Sequence, residues 1–273
     1  MTTLADRLAW LATGLAAAAA ALGLATAAYR DVPAMVDQAQ GTDLATLFGA
    51  VPLLAAGLWR ARGGSGLGRV VAGGALGYLV YTYAIYAFQV VVNPLTPAHI
   101  AILGLAFWSL ALVVSRPDRG LEEVGGALPA RTTAGFLILV VVMFGALWLG
   151  QIGSAITSGV LPAAVSDLGL PTSAVYTLDL AFALPVLAIA GVLLLRRSPG
   201  GPALALGGLV FVVLMALSIL GLFAVQAVRG AETDVATVAV FAIVGVVGAL
   251  LAVRGGLSTA AGPRTHAHAA ASR

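Results

Sequence analysis

Ala203-Leu-Ala-Leu-Gly-Gly-Leu-Val-Phe-Val-Val-Leu-Met-Ala-Leu-Ser-Ile-Leu-Gly-Leu-Phe-Ala-Val-Gln-Ala-Val228 carries no charged side chain, and it lies between Arg196-Arg197 and Arg229. A helix crosses the hydrocarbon core of a bilayer with about 20 mostly apolar residues. This stretch meets that length with residues to spare, so it is predicted to be a transmembrane helix. Working outward with the same criterion gives seven more spans, near 8–28, 44–60, 70–92, 98–115, 133–157, 173–195 and 235–253. The expected fold is all-α: an integral membrane bundle of eight transmembrane helices, forming one domain over residues 1–254. The remainder, 255–273, is Gly, Ala, Ser and Pro with His266 and His268, a composition that predicts a disordered, cytoplasmic tail.

Composition agrees. Of 273 residues 60% are apolar and 9% charged, against about 25% charged in a soluble domain. There is no cysteine, which excludes disulfides, thiolate nucleophiles and cysteine-held metals. All cations are Arg, and with the heavy Ala, Gly and Val usage this points to a bacterial source of high GC content. The net charge of +3 does not indicate a nucleic-acid partner, because the arginines flank apolar spans, where lipid headgroups are the natural counterpart.

Those arginines alternate. Arg7, Arg60, Arg62, Arg69, Arg116, Arg119, Arg131, Arg196, Arg197, Arg254, Arg264 and Arg273 fall on one side of the eight spans, and only Arg30 and Arg229 on the other. Since basic loops stay cytoplasmic, both termini are expected inside the cell, in the inner (cytoplasmic) membrane. A competing reading treats Arg7, the following Ala-rich run and Ala25-Thr26-Ala27 as a cleaved signal peptide. The apolar run exceeds the usual h-region of about 7–15 residues, and cleavage would leave seven spans in the same orientation.

Spans two and six share a pattern. Each carries a central proline, Pro52 or Pro185, then a glycine, Gly57 or Gly191, then a basic turn and a Gly-rich loop. One explanation is a 4+4 parallel repeat about an axis along the membrane normal. The other is that Pro, Gly and Ala are simply common in membrane helices.

Within the spans the informative residues are polar. Asp179 reads as the lone carboxylate well inside a span, roughly 8 Å below the outer surface at 1.5 Å per residue. A charged group there is expensive and faces the bundle interior or a wet cavity. On span three, Tyr78, Thr82, Tyr86, Gln89 and Asn93 share an arc of about 80°, with Tyr83 at its edge. Gln151 lies on span five in the same half of the bilayer. The candidate ligand-binding set is therefore Asp179, Tyr83, Tyr86, Gln89, Asn93 and Gln151, around an outward-facing pocket for a small molecule or ion. The same residues also suit a purely structural role as interhelical hydrogen bonds, each worth about 0.6 kcal/mol on average. Gly73 and Gly77 form a GxxxG suited to close helix contacts, including a helix-mediated oligomer. No HExxH, Ser-His-Asp set or haem-type His pair stands in the spans, and Gly63-Gly64-Ser65-Gly66 lacks the Lys-Ser/Thr of a phosphate loop. No catalytic residues, metal ligands or cofactor are therefore expected.

Two blocks carry a resemblance. Tyr81-Thr82-Tyr83-Ala84-Ile85-Tyr86-Ala87-Phe88-Gln89, followed by Asn93-Pro94-Leu95, resembles the Tyr-x-Tyr-Ala-x-Tyr…Asn run of a family of uncharacterised prokaryotic polytopic membrane proteins. Leu178-Asp179-Leu180-Ala181-Phe182-Ala183-Leu184-Pro185 is similar to that family's LDLGF-x-LP stretch, with Ala181 where Gly is usual. The resemblance implies several membrane spans and no particular activity. The expected function is thus that of a transporter-like or small-ligand-binding membrane protein, with a non-catalytic membrane scaffold as the alternative.

Overall fold

The computed structural model describes residues 3–115, 124 and 128–260. Arg116, Arg119, Arg264, Arg273, His266, His268 and the tail beyond Ala260 lie outside the described residues. The described chain forms eight long helices: α1 (Leu4–Ala25), α2 (Pro33–Arg62), α3 (Gly66–Gln89), α4 (Thr96–Val114), α5 (Ala130–Ser158), α6 (Ala174–Leu195), α7 (Gly201–Val228) and α8 (Val235–Ala260). Each contains a window long and apolar enough to cross a bilayer, and no strand occurs among the described residues. This is the architecture of a multi-pass helical membrane protein.

Local chemistry sets the helix ends. Thr3 and Asp6 close a capping box at the start of α1: the Asp6 N–H donates to the Thr3 hydroxyl and the Thr3 N–H to the Asp6 carboxylate. Pro33, Pro97 and Pro202 occupy first-turn positions, where the missing N–H has no helical partner to lose. Gly159 ends α5 at φ 71°, a left-handed cap that a side chain would strain.

Helix α2 begins at Pro33, well before the start near residue 44 that hydropathy suggests. The polar run Asp37-Gln38-Ala39-Gln40-Gly41-Thr42-Asp43 is therefore helical, and Asp37 and Asp43 are buried. The expectation that Asp179 is the lone carboxylate within a span is corrected: Asp43 is a second, and it is the more deeply enclosed. Its polarity resembled a loop because the groups that satisfy it lie far away in sequence.

Helices α2 and α6 share an irregularity. Each widens into a π-turn, Thr46–Ala50 and Asp179–Ala183, six residues before Pro52 and Pro185 respectively, counted from the first residue of the turn. Val51 N–H donates to the Thr46 carbonyl and Leu184 N–H to the Asp179 carbonyl. Proline removes a donor from the ladder and crowds the preceding turn; opening that turn by one residue absorbs the crowding without breaking the helix.

The helices pack as two groups. One apolar core joins α1–α4 to the middle of α7, and the other joins α5–α8 to the start of α3. Helix α3 is the most enclosed, with 67% of its apolar window buried against 17% for α8, which leaves α8 facing lipid. Glycines bring the two groups together. A β-carbon on Gly74 would stand 2.5 Å from the Gly207 carbonyl oxygen, and one on Gly41 would stand 2.1 Å from the Leu222 nitrogen. Such backbone contact is the usual glue of membrane helices. Helix α6 meets α3 mainly through its first turn, Ala174–Leu178.

Candidate functional site

A cavity of about 400 Å³ is bounded by α2, α3, α5, α6, α7 and α8. Its walls are chiefly apolar, with Phe144, Phe211, Phe223 and Phe241 prominent, and Asp179 is its carboxylate. The position of Asp179 follows from the π-turn, which begins at this residue and rotates it relative to the helix below. Trp148 of α5 donates its indole N–H to Asp179 Oδ2 at 2.6 Å. The Tyr81 hydroxyl approaches the same carboxyl from α3. Groups from α3, α5 and α6 thus meet at this partly buried carboxyl. Thr42, Thr82, Ser218 and Thr237 add hydroxyl-bearing side chains to the cavity wall, and Ser218 donates to the Thr42 hydroxyl at 2.9 Å across the α2–α7 contact.

A second polar group lies on the other side of α3, within the α1–α4 core. Asp43, 1% exposed, accepts a hydrogen bond from the Tyr29 hydroxyl at 2.5 Å, and its other oxygen lies 2.8 Å from the Tyr86 hydroxyl. Gly23 makes room for it: a β-carbon there would stand 2.1 Å from Asp43 Oδ2. Tyr29 lies in the connection between α1 and α2, where burial first, and then the Asp43 carboxyl, push its phenol above the ordinary value and keep it a donor. Around this pair stack Tyr83 and His99. The His99 ring is 4.5 Å from that of Tyr86, 5.7 Å from Tyr83 and 6.4 Å from Tyr29, centroid to centroid. Both His99 nitrogens, the Tyr83 hydroxyl and Gln89 Oε1 are buried without a hydrogen-bond partner among the described residues.

The six residues expected to form one pocket are distributed differently. Asp179 and Tyr86 line the common cavity. Tyr83 and Gln89 are buried on the Asp43 side of α3 or at its end, outside the cavity wall. Asn93 shapes the turn into α4: its side chain accepts from the Leu95 N–H at 2.8 Å and donates to the Val91 carbonyl at 3.0 Å. Gln151 accepts from the Tyr176 hydroxyl at 2.7 Å and ties α5 to the start of α6.

Tyr81, Trp148, Tyr29 and Asp43 are the site residues that sequence reasoning passed over. Tyr81 falls just outside the arc drawn through Tyr78, Thr82 and Tyr86. Trp148 lies one helical turn before Gln151 on the same face of α5, a spacing that would have found it. Pro33 at a first-turn position was the available signal for the early start of α2, and hence for Asp43.

Among the described residues no group of three or more His, Cys, Asp or Glu side chains is arranged to hold a metal ion. Compared with family models, curated proteins and solved structures, the chain matches none.

Proposed function

We propose that this protein binds a small, mainly apolar molecule bearing one cationic or hydrogen-bond-donating group, and that it acts as a carrier or receptor for that molecule in the cell membrane. The observation that carries this reading is the cavity of about 400 Å³ whose carboxylate, Asp179, is held by the Trp148 indole N–H. The volume lies in the range of small-molecule sites, about 300–1,000 Å³, and an apolar wall with few convergent polar groups is their usual composition. Asp179 serves as the anchor and Tyr86 as lining.

The orientation that accompanies this reading has both termini cytoplasmic, in a bacterial inner membrane, on the distribution of arginines. A 4+4 duplication is supported by the matched π-turns ahead of Pro52 and Pro185. It would relate the two halves about α3 and α7, with the cavity beside that axis, where repeat-built transporters place their sites. A helix-mediated oligomer is the second reading, favoured by Gly73, which has no atom within 4 Å of an added β-carbon. Gly77 instead faces Phe211 of its own chain.

Tetraphenylphosphonium, an apolar cation, is a suitable probe. Calorimetric titration of nanodisc-embedded protein should give saturable binding that weakens at least tenfold in Asp179→Asn, which corresponds to about 1.4 kcal/mol. Equal partitioning into wild type, Asp179→Asn and empty nanodiscs would remove the reading.

A further inference from the structure

The Asp43 cluster contains three close oxygen–oxygen approaches. Tyr29 and Asp43 Oδ2 are 2.5 Å apart, Tyr86 and Asp43 Oδ1 are 2.8 Å apart, and the Tyr86 oxygen is also 2.7 Å from the Ala39 carbonyl oxygen. A hydrogen bond needs a proton between its two oxygens, and a tyrosine carries one. Tyr29 and Tyr86 therefore supply two protons for three contacts. The Ala39 carbonyl has none to give, so when the Tyr86 proton points to Ala39, the contact with Asp43 lacks one. A protonated Asp43 completes the set: its Oδ1–H donates to the Tyr86 oxygen, Tyr86 donates to Ala39, and Tyr29 donates to Oδ2.

The charge balance of the surroundings agrees. On its own helix the nearest ionisable neighbour is Asp37, which is engaged by Arg229. Helix α3 presents Tyr78, Tyr83 and Tyr86, α4 presents His99, the α1–α2 connection presents Tyr29, α1 presents Gly23, and α7 presents Ser218 to the neighbouring Thr42. Among the described residues no arginine reaches the carboxyl through a hydrogen bond or ion pair. A bare carboxylate with no counter-ion at this depth is expensive; a neutral acid is not.

We propose that Asp43, with Tyr29 and Tyr86, is a proton-binding site separate from the Asp179 cavity, occupied by a proton in the state described. Releasing that proton to water leaves a carboxylate, and the Tyr86 hydroxyl then turns from Ala39 to Asp43. Because Tyr86 also lines the cavity, proton occupancy and cavity occupancy meet at one side chain, whose hydroxyl reorients when the proton leaves. That link rests on the ligand reading above; the proton assignment does not.

The test is infrared spectroscopy of the full-length protein in nanodiscs. At neutral pH the wild type should show the carbonyl band of an un-ionised carboxylic acid that shifts in heavy water, and the band should vanish in Asp43→Asn and survive in Asp179→Asn. If Asp43→Asn does not fold, Tyr86→Phe serves, because a neutral Asp43 then loses its acceptor and its carbonyl band must move. A band equal in wild type and Asp43→Asn, lost only in Asp179→Asn, or unmoved in Tyr86→Phe overturns the proton site. For the link, tetraphenylphosphonium should shift the pH at which the band disappears; an unshifted midpoint with the probe bound overturns the coupling through Tyr86. Failure of the probe to bind at all removes the ligand reading, and the acid band alone then decides whether Asp43 holds a proton.

Discussion

Gly41 of α2 and Gly221 of α7 cross backbone to backbone: a β-carbon on Gly221 would stand 2.3 Å from the Gly41 carbonyl oxygen, and one on Gly41 would meet the Leu222 nitrogen at 2.1 Å. Those atoms belong to main chain and cannot swing aside. Gly41→Ala is expected to destabilise the protein by about 1–3 kcal/mol, the range for overpacking. Gly73→Ala, with open space around it, should change stability little. Thermal unfolding of the two variants in the same detergent compares them directly, and equal midpoints would contradict this account of the α2–α7 seam.

Tyr29 and Tyr86 share the Asp43 carboxyl, so their contributions should not add. Replacing either by Phe strips one buried partner, an effect of about 1–3 kcal/mol. In a double-mutant cycle by chemical unfolding, the Tyr29→Phe/Tyr86→Phe pair should show a coupling of about 0.5–3 kcal/mol. A coupling of zero would mean that the two phenols act independently.

The legibility of this fold in its sequence was uneven, for physical reasons. Spans such as α7 announce themselves because lipid imposes one rule, a run of apolar residues, on every helix that crosses it. The start of α2 obeys a different rule. Asp37 and Asp43 are tolerated by partners that no local window contains: Arg229 for the first, Tyr29 and Tyr86 for the second. The cavity was half legible for the same reason. The arc containing Tyr86 was evident from helical periodicity, but which carboxyl each tyrosine meets depends on how α2 and α6 pack against α3. Asn93 and Gln151 looked like pocket groups because polarity alone does not distinguish a ligand contact from a turn or an interhelical tie.

Arg229 at the end of α7 pairs with Asp37 and also donates to Gln40 at 2.6 Å. The arginine side chain is 41% exposed but the aspartate only 9%, so water screens one partner; Asp37→Asn removes the buried charge and leaves Arg229 within reach of solvent, and is expected to cost about 1 kcal/mol. The difference should fade at about 1 M salt, where the Debye length is near 3 Å. Unfolding midpoints measured at low and high salt check this, and a large, salt-independent loss would mean that Asp37 holds α2 in place by some other contact.

Asp234 precedes α8 and caps it, accepting from the Ala236 N–H at 3.0 Å and from the Thr237 hydroxyl at 2.5 Å. The Thr237 hydroxyl, then the Ala236 N–H, hold this exposed carboxyl below its ordinary value. A depressed folded-state value means the cap is fully present above about pH 4, the usual carboxylate range, and is lost as pH falls through the lower, folded value. Hydrogen exchange at Ala236 and Thr237 should therefore accelerate below that range relative to Asp234→Asn, in which exchange should follow only the intrinsic pH trend. Parallel profiles would exclude the cap.

The widened turns ahead of Pro52 and Pro185 make α2 and α6 sensitive to a change in chain length of a single residue. Each turn holds one residue more than an ordinary helical turn, so everything on its N-terminal side is indexed about 100° around the axis relative to the part below. Excising Leu180 would restore the plain helical count and swing Tyr176 and the preceding segment by that angle. Tyr176 would then lose Gln151, and the opening of α6 would present a different side to α3. Shortening α6 by one residue at this point is thus a rotation rather than a truncation, and it alters what the cavity wall displays without replacing any side chain there.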